Sequence, residues 1–212
     1  MIELYHCQDA RSFRCLWMLE EIQQPYTLKP LQYPPKLTAP EYLKINPAGT
    51  VPLLLDEDAV MFESSAILQY LAVRYAPDQL AVSSADAAYA GWLNWLHFGE
   101  ATLTVPLGTM FRYAYTEPEA RRQPAVVADQ RAVHLDRLQL VAKALQGHDY
   151  LCADRFTAAD ISVGYALLLG RTLGLHGEYP DTVLDYWKRL QERPAFKAAK
   201  AAQKQAFAPA SA

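Results

Sequence analysis

Cysteine is scarce. Cys7, Cys15 and Cys152 are the three in 212 residues. Three scattered cysteines cannot staple a disulfide scaffold, and none has the paired spacing of a metal site. No metal is expected, and a reducing compartment is. Long apolar runs are missing too, since no stretch reaches the ~18 residues of a membrane span. The start, MIELYHCQDAR, lacks the basic segment and apolar run of a secretory signal. Neither sign of charge dominates: 20 Lys and Arg against 23 Asp and Glu leave a net charge of -3. That removes the electrostatic case for nucleic-acid or membrane-surface binding. Internal repeats are absent, and only residues 206–212 read as an unpacked tail. The expectation is a cytoplasmic globular protein without nucleic-acid or membrane partners. With 51% apolar and 20% charged residues, the chain can bury a core as one large domain or two small ones.

The two parts of the chain differ in texture. Ile2 to His6 is a short apolar-aromatic run, as in a buried strand. From Ser12 the period is helical, with Phe13, Leu16, Trp17 and Leu19 on one face, Glu20 and Glu21 outside, and Pro25 as the stop. Tyr26 to Leu31 reads as a second strand and Pro40 to Ile45 as one short helix. Val51 to Leu55 and Ala59 to Phe62 form a hairpin around Asp56-Glu57-Asp58. Ser64 caps a helix running to Tyr75. A crossover helix makes the first strand pair parallel, and the hairpin adds an antiparallel edge. Residues 77–86 read as a linker. Beyond it the pattern is helical throughout: 87 to about 113 with a bend at Pro106, then 124–146 with Val127, Val133, Leu138, Val141 and Leu145 inward. A nearly all-apolar helix follows over 157–172, and Pro180 and Pro194 open two more. The prediction is an α/β domain over 1–76 and an all-α domain over 87–204.

Three motifs carry chemistry. In Asn46-Pro47-Ala48-Gly49-Thr50-Val51-Pro52, a proline stands where a strand begins. A cis bond there would leave backbone groups unpaired for a peptide ligand; an ordinary loop is the alternative. Glu63-Ser64 sits at a strand-to-helix junction. Its helix N-terminus and carboxylate suit the two charges of an amino-acid head group, and plain capping is the alternative. Thr157-Ala158-Ala159-Asp160 has the form of a capping box, with Asp160 buried and accepting backbone N–H groups.

This ordered set resembles the glutathione S-transferase family. Trp17-Met18-Leu19-Glu20-Glu21, Asn46 to Pro52, Glu63-Ser64 and Thr157 to Asp160 occur in the family's order over nearly the whole chain. The resemblance implies a thioredoxin-like α/β N-terminal domain, an all-α C-terminal domain, glutathione as co-substrate and a homodimer. It implies that the Val51 backbone, with Thr50 and Pro52, pairs with the cysteinyl part of glutathione. Glu63 and Ser64 would hold the γ-glutamyl end, and Lys36 would reach the glycine carboxylate. Met110, Phe111, Tyr113 and Tyr165 would line the pocket for a small hydrophobic electrophile. Trp92, Trp95, His97 and Phe98 are consistent with a dimer contact or with core.

The thiol of glutathione must ionise to react. The family's serine position is occupied here by Ala10, which cannot donate. Four candidate catalytic residues remain open. Tyr5 aligns with the tyrosine of tyrosine-type members, Cys7 ends the first strand, Arg11 offers positive charge, and Ser12 can donate or cap. Two other functions remain open with them: a thiol-disulfide or deglutathionylating enzyme using Cys7, and a non-catalytic glutathione-binding module.

Overall fold

Four short strands account for the first part of the chain. β1 (Ile2–His6) alternates buried and half-buried residues, as a strand with one covered face must. α1 (Ser12–Ile22) carries the chain over to β2 (Tyr26–Pro30), which pairs with β1 in parallel, Ile2 opposite Tyr26. β3 (Leu53–Asp56) runs antiparallel to β1 and folds back into β4 (Ala59–Met61). The sheet order is β2-β1-β3-β4, the mixed topology predicted from the crossover and the hairpin. Between β2 and β3 lie α2 (Pro35–Thr38) and a 3₁₀ turn over Pro40–Lys44. α3 (Ser64–Tyr75) follows β4, and Asp56 ties it to the hairpin by accepting the hydroxyls of Tyr70 at 2.8 Å and Tyr75 at 2.5 Å.

The structure, a computed structural model, describes residues 1–208. The predicted unpacked tail, 206–212, lies largely outside the described residues. Phe207, its aromatic member, has its ring 6.0 Å from that of His6 and so is packed.

The second part is helical. α4 (Tyr89–Phe98) runs into a π-helical stretch over Gly99–Thr104 and then into α5 (Val105–Phe111). The deviation predicted at Pro106 begins before the proline, in this π segment, where the Thr104 hydroxyl donates to the Gly99 carbonyl at 2.7 Å. Gly99 is required there: a Cβ would stand 2.6 Å from the Ser162 carbonyl carbon. A second π turn spans Arg112–Thr116. α6 (Pro124–Ala144) buries His134, Leu138 and Val141, whereas Val127 and Val133, predicted inward, are only half-buried. α7 (Ala158–Thr172) is buried along almost its whole length and packs against α4, as its apolar sequence predicts. α8 (Asp181–Glu192) and α9 (Pro194–Ala206) follow, the first beginning one residue after Pro180 and the second at Pro194, as the sequence predicts.

The chain forms two compact units, Asp78–Leu190 and a unit made of Met1–Pro77 together with the residues from Gln191 onward. The sequence pattern grouped everything from 87 to 204 together. The difference has a local cause, because the inner face of α9 packs on α1. Phe196 stands edge-on to Phe13 and Trp17, with ring centroids 5.6 and 4.9 Å apart. Arg193 holds Glu21 through two hydrogen bonds of 2.6 and 2.8 Å. Glu21, predicted outside, is therefore largely covered, and α1 is buried on every side from Ser12 to Leu19.

Candidate functional site

Register brings the motifs of the first unit to one end of the sheet. Leu54 pairs with Met61 across the hairpin. Continuing that antiparallel register by two residues sets Pro52 level with Glu63, and one further sets Val51 level with Ser64. In the same way the pair Tyr5–Leu53 leads on to Cys7 level with Val51. The end of β1, the approach to β3 and the start of α3 thus share one edge, where α1 and α3 both begin. Two helix N-termini give this edge a positive potential suited to an anion.

The loop before β3 is organised from within. The Val51–Pro52 bond is cis, as its place at a strand start suggests, and so is Tyr33–Pro34. Asn46 is buried and directs its amide to the Thr50 carbonyl at 2.8 Å and to the Tyr42 hydroxyl at 3.0 Å. Its own oxygen accepts the Ala48 N–H at 3.2 Å. The Tyr42 hydroxyl donates to the Thr50 carbonyl at 2.5 Å. Gly49 has φ +63°, and a Cβ there would meet Leu43 and Lys36 at 2.9 Å. Thr50 itself is exposed, while Val51 is buried against Cys7, Tyr42 and Leu53. Lys36 lies exposed on α2, beside this loop.

At the start of α3 the sequence expectation needs correcting. Glu63 occupies the N-cap, with extended dihedrals and no side-chain cap bond; Ser64 is the first helical residue. Ser64 is buried, and its Oγ accepts a 3.1 Å hydrogen bond from Arg14 Nη1. Arg14 is a fully buried guanidinium on α1, and such a group is tolerated only where acceptors meet it. Glu63 is exposed. The edge therefore presents one free-standing carboxylate, one buried hydroxyl backed by a cation, and the first N–H groups of α3.

The four activator candidates are placed very differently. Cys7 is fully buried in the apolar cluster with Tyr42, Val51 and Leu53, and burial pushes its thiol up to about 12. A group so placed stays a thiol at neutral pH, which argues against Cys7 as a nucleophile. Ser12 is also fully buried and does not cap α1; the N-cap is Arg11, without a side-chain cap bond. The Ser12 Oγ is 2.8 Å from His6 Nδ1 and accepts the Cys7 N–H at 3.2 Å. Its proton is committed inside the protein. Tyr5 is half-buried with its ring 5.3 Å from that of Tyr42, and Arg11 is half-buried at the start of α1.

In the second unit, Tyr165 is a core residue of α7, 2% exposed, and is withdrawn from the electrophile pocket. Met110 is nearly buried. Phe111 and Tyr113 are half-buried, Phe111 against Tyr115 and Tyr113 beneath the Arg112 guanidinium. Asp160 is fully buried as predicted. It accepts the N–H groups of Thr157 at 2.8 Å and Leu151 at 3.1 Å, and also the Tyr186 hydroxyl at 2.9 Å. Burial outweighs these bonds and pushes its carboxyl up to about 6.

Comparison with known proteins agrees with this architecture. Residues 10–74 match the glutathione S-transferase N-terminal domain, and residues 103–194 match the C-terminal domain of the same family. Glutathione S-transferase GstB of Escherichia coli is 30% identical, over 93% of this chain and 96% of its own length. Elongation factor 1-gamma of Prunus avium is 32% identical over 74% of this chain, but that stretch is only 37% of its length. The glutathione transferase URE2P6 of Phanerochaete chrysosporium, solved with oxidised glutathione, superimposes with a TM-score of 0.84. It is 25% identical, with 97% of each chain covered. The chain belongs to the glutathione S-transferase family, with its thioredoxin-like α/β domain followed by a helical domain. Among the described residues, no helix is long and apolar enough to cross a membrane.

Proposed function

We propose that this protein is a cytoplasmic glutathione transferase that adds the glutathione thiolate to a small hydrophobic electrophile, a detoxifying conjugation. The observation that carries the reading is the convergence of Val51–Pro52, Glu63–Ser64 and the start of α1 on one sheet edge. Glutathione has an ammonium, two carboxylates and an extended backbone. Glu63 meets the ammonium, Ser64 and the first N–H groups of α3 meet the neighbouring carboxylate, and Lys36 meets the glycine carboxylate. The Val51 backbone pairs with the cysteinyl part in strand fashion. The sulfur then faces the β1–α1 loop, where Tyr5 and Arg11 are the side chains left to stabilise a thiolate, assisted by the α1 dipole. Met110, Phe111 and Tyr113 contribute apolar surface to the electrophile pocket.

A second reading, a glutathione-binding module without catalysis, draws support from Ala10 at the family's serine position and from the likeness to an elongation factor 1-gamma. Retention on immobilised glutathione, followed by turnover of a chloronitrobenzene, separates the two. Binding without turnover favours the module; no binding rejects both. Turnover of a mixed disulfide that is lost in Cys7→Ala would restore the thiol-disulfide reading, against the burial of that thiol. We further propose a homodimer using the groove beside α4 formed by Leu93, His97, Phe98 and Thr102. Trp92 belongs to the core. A monomer mass in light scattering at micromolar protein rejects the dimer.

A further inference from the structure

The β1–α1 loop is held by α9. His6 and Ser12 are fully buried, and Gln203 of α9 is 2% exposed. His6 Nε2 lies 2.9 Å from Gln203 Oε1. A carboxamide oxygen only accepts, so Nε2 carries the proton, Nδ1 is the acceptor, and the Ser12 hydroxyl donates to it. The same Gln203 oxygen accepts the Asp9 N–H at 2.9 Å, and Gln203 Nε2 donates to Asp9 Oδ1 at 2.9 Å. Lys200 Nζ reaches that carboxylate oxygen at 2.6 Å. One carboxamide thus grips both the backbone and the side chain of a single loop residue.

That residue has an uncommon backbone. Asp9 has φ +51°, in the left-handed region, which residues with a Cβ adopt seldom and aspartate more readily than most. Such a conformation persists where its surroundings over-determine it. The surroundings here are built for register. Arg193 fixes the start of α9 on Glu21, Phe196 fixes its first turn against Phe13 and Trp17, and Lys200 and Gln203 follow about one and two turns further on. Chain segments almost two hundred residues apart are brought together at the loop that faces the proposed sulfur position.

We propose that Gln203 is a positioning residue. Through Asp9 it locks the β1–α1 loop, and so fixes where the thiol-activating group stands relative to the glutathione sulfur. Lys200 supports it by holding the Asp9 carboxylate. The proposal rests on the glutathione reading above. Val51, Glu63 and Ser64 are held by other elements, so loosening the loop disturbs the sulfur end of the ligand and leaves the γ-glutamyl end alone.

The test uses the full chain with Gln203→Leu, which fills the site with an apolar side chain and removes all three hydrogen bonds. Lys200→Met keeps an unbranched side chain, removes the ammonium that lies 5.2 Å from the Phe13 ring centroid, and serves should the first variant fail to fold. Hydrogen exchange at the Asp9 amide, measured without ligand, should quicken by at least about tenfold in Gln203→Leu and less in Lys200→Met. The thiolate absorbance titration of bound glutathione should move to higher pH. Turnover should fall on the order of tenfold while the glutathione KM stays within about twofold. Unchanged Asp9 exchange overturns the lock. Faster exchange with an unmoved thiolate titration and unchanged kcat shows a purely structural role and overturns the positioning. Failure of the parent reading appears separately, as wild-type protein that does not bind glutathione.

Discussion

Two helix N-termini in this chain solve the same problem in opposite ways. α7 begins inside the protein. Thr157 Oγ1 accepts the Ala159 N–H at 3.3 Å, and Asp160 reaches back to the Thr157 N–H and across to Leu151 and Tyr186. Every donor there has a partner from the protein. α3 begins at the sheet edge, with an exposed Glu63 as N-cap and no side-chain cap bond. Its first hydroxyl, Ser64, is occupied on its inner side by Arg14. A helix start that is sealed by its own chain serves stability; one left open by its own chain is available to a ligand.

The comparison breaks if the two ends respond alike. Asp160→Ala leaves two buried N–H groups and a tyrosine hydroxyl without an acceptor, and should cost about 3 kcal/mol or more of stability in urea denaturation. Glutathione affinity of the folded protein should stay within about twofold. An unchanged midpoint would show that the sealed end is redundant.

Acid sharpens the comparison at the level of whole units. Each unit buries one neutral histidine, His6 in the first and His134 in the second, both lowered by burial to about 4. A lowered folded-state pKa gives stability that is complete above the unfolded value of about 6.5 and is lost as pH falls toward 4. Each group contributes roughly 3 kcal/mol across that window. Asp160 acts with the opposite sign. Its carboxyl is raised to about 6, so its burden grows as pH rises from about 4 to 6, again by about 3 kcal/mol. Two terms oppose one, and stability should fall on acidification from pH 6.5 to 4. His134→Gln should flatten that fall and Asp160→Asn should steepen it. A flat stability profile in the wild type would contradict the neutral burial of both histidines.

At the open end the effects belong to the ligand. Ser64→Ala should raise the glutathione KM roughly tenfold, through loss of a charge-assisted bond, with a much smaller change in kcat. It should also cost about 1 kcal/mol of stability, because Arg14 loses an acceptor. Glu63→Gln, the mildest change, should raise KM several-fold while shifting stability by less than about 0.5 kcal/mol. A large stability loss in Glu63→Gln would mean that the α3 start is capped after all.

What could be read from the chain was whatever its local spacing encodes. The crossover pair, the hairpin, the strand-start proline and the Thr157–Asp160 box each lie within a few residues, so periodicity and turn chemistry expose them. The motifs proposed to meet glutathione were legible for the same reason. Arg14 was not, because an arginine among Phe13, Leu16 and Trp17 reads as the outer side of an amphipathic helix until α3 and α9 close over it. Ser12 and Cys7 looked available because exposure is decided by long-range packing. His6, Asp9 and Gln203 gave no signal, since their partnership spans 197 and 194 positions of sequence.

The return of α9 to the first unit also sets an order of events during synthesis. Phe13 and Trp17 leave the ribosome early, but Phe196, which covers them, is made some 180 residues later. At typical elongation speeds that interval is roughly ten to forty seconds. Through it the nascent N-terminal unit exposes an aromatic seam and a loop without its grip, and the whole helical unit must emerge in between. A chain of this design emerges with that edge unfinished, and completes it only once α9 has been made.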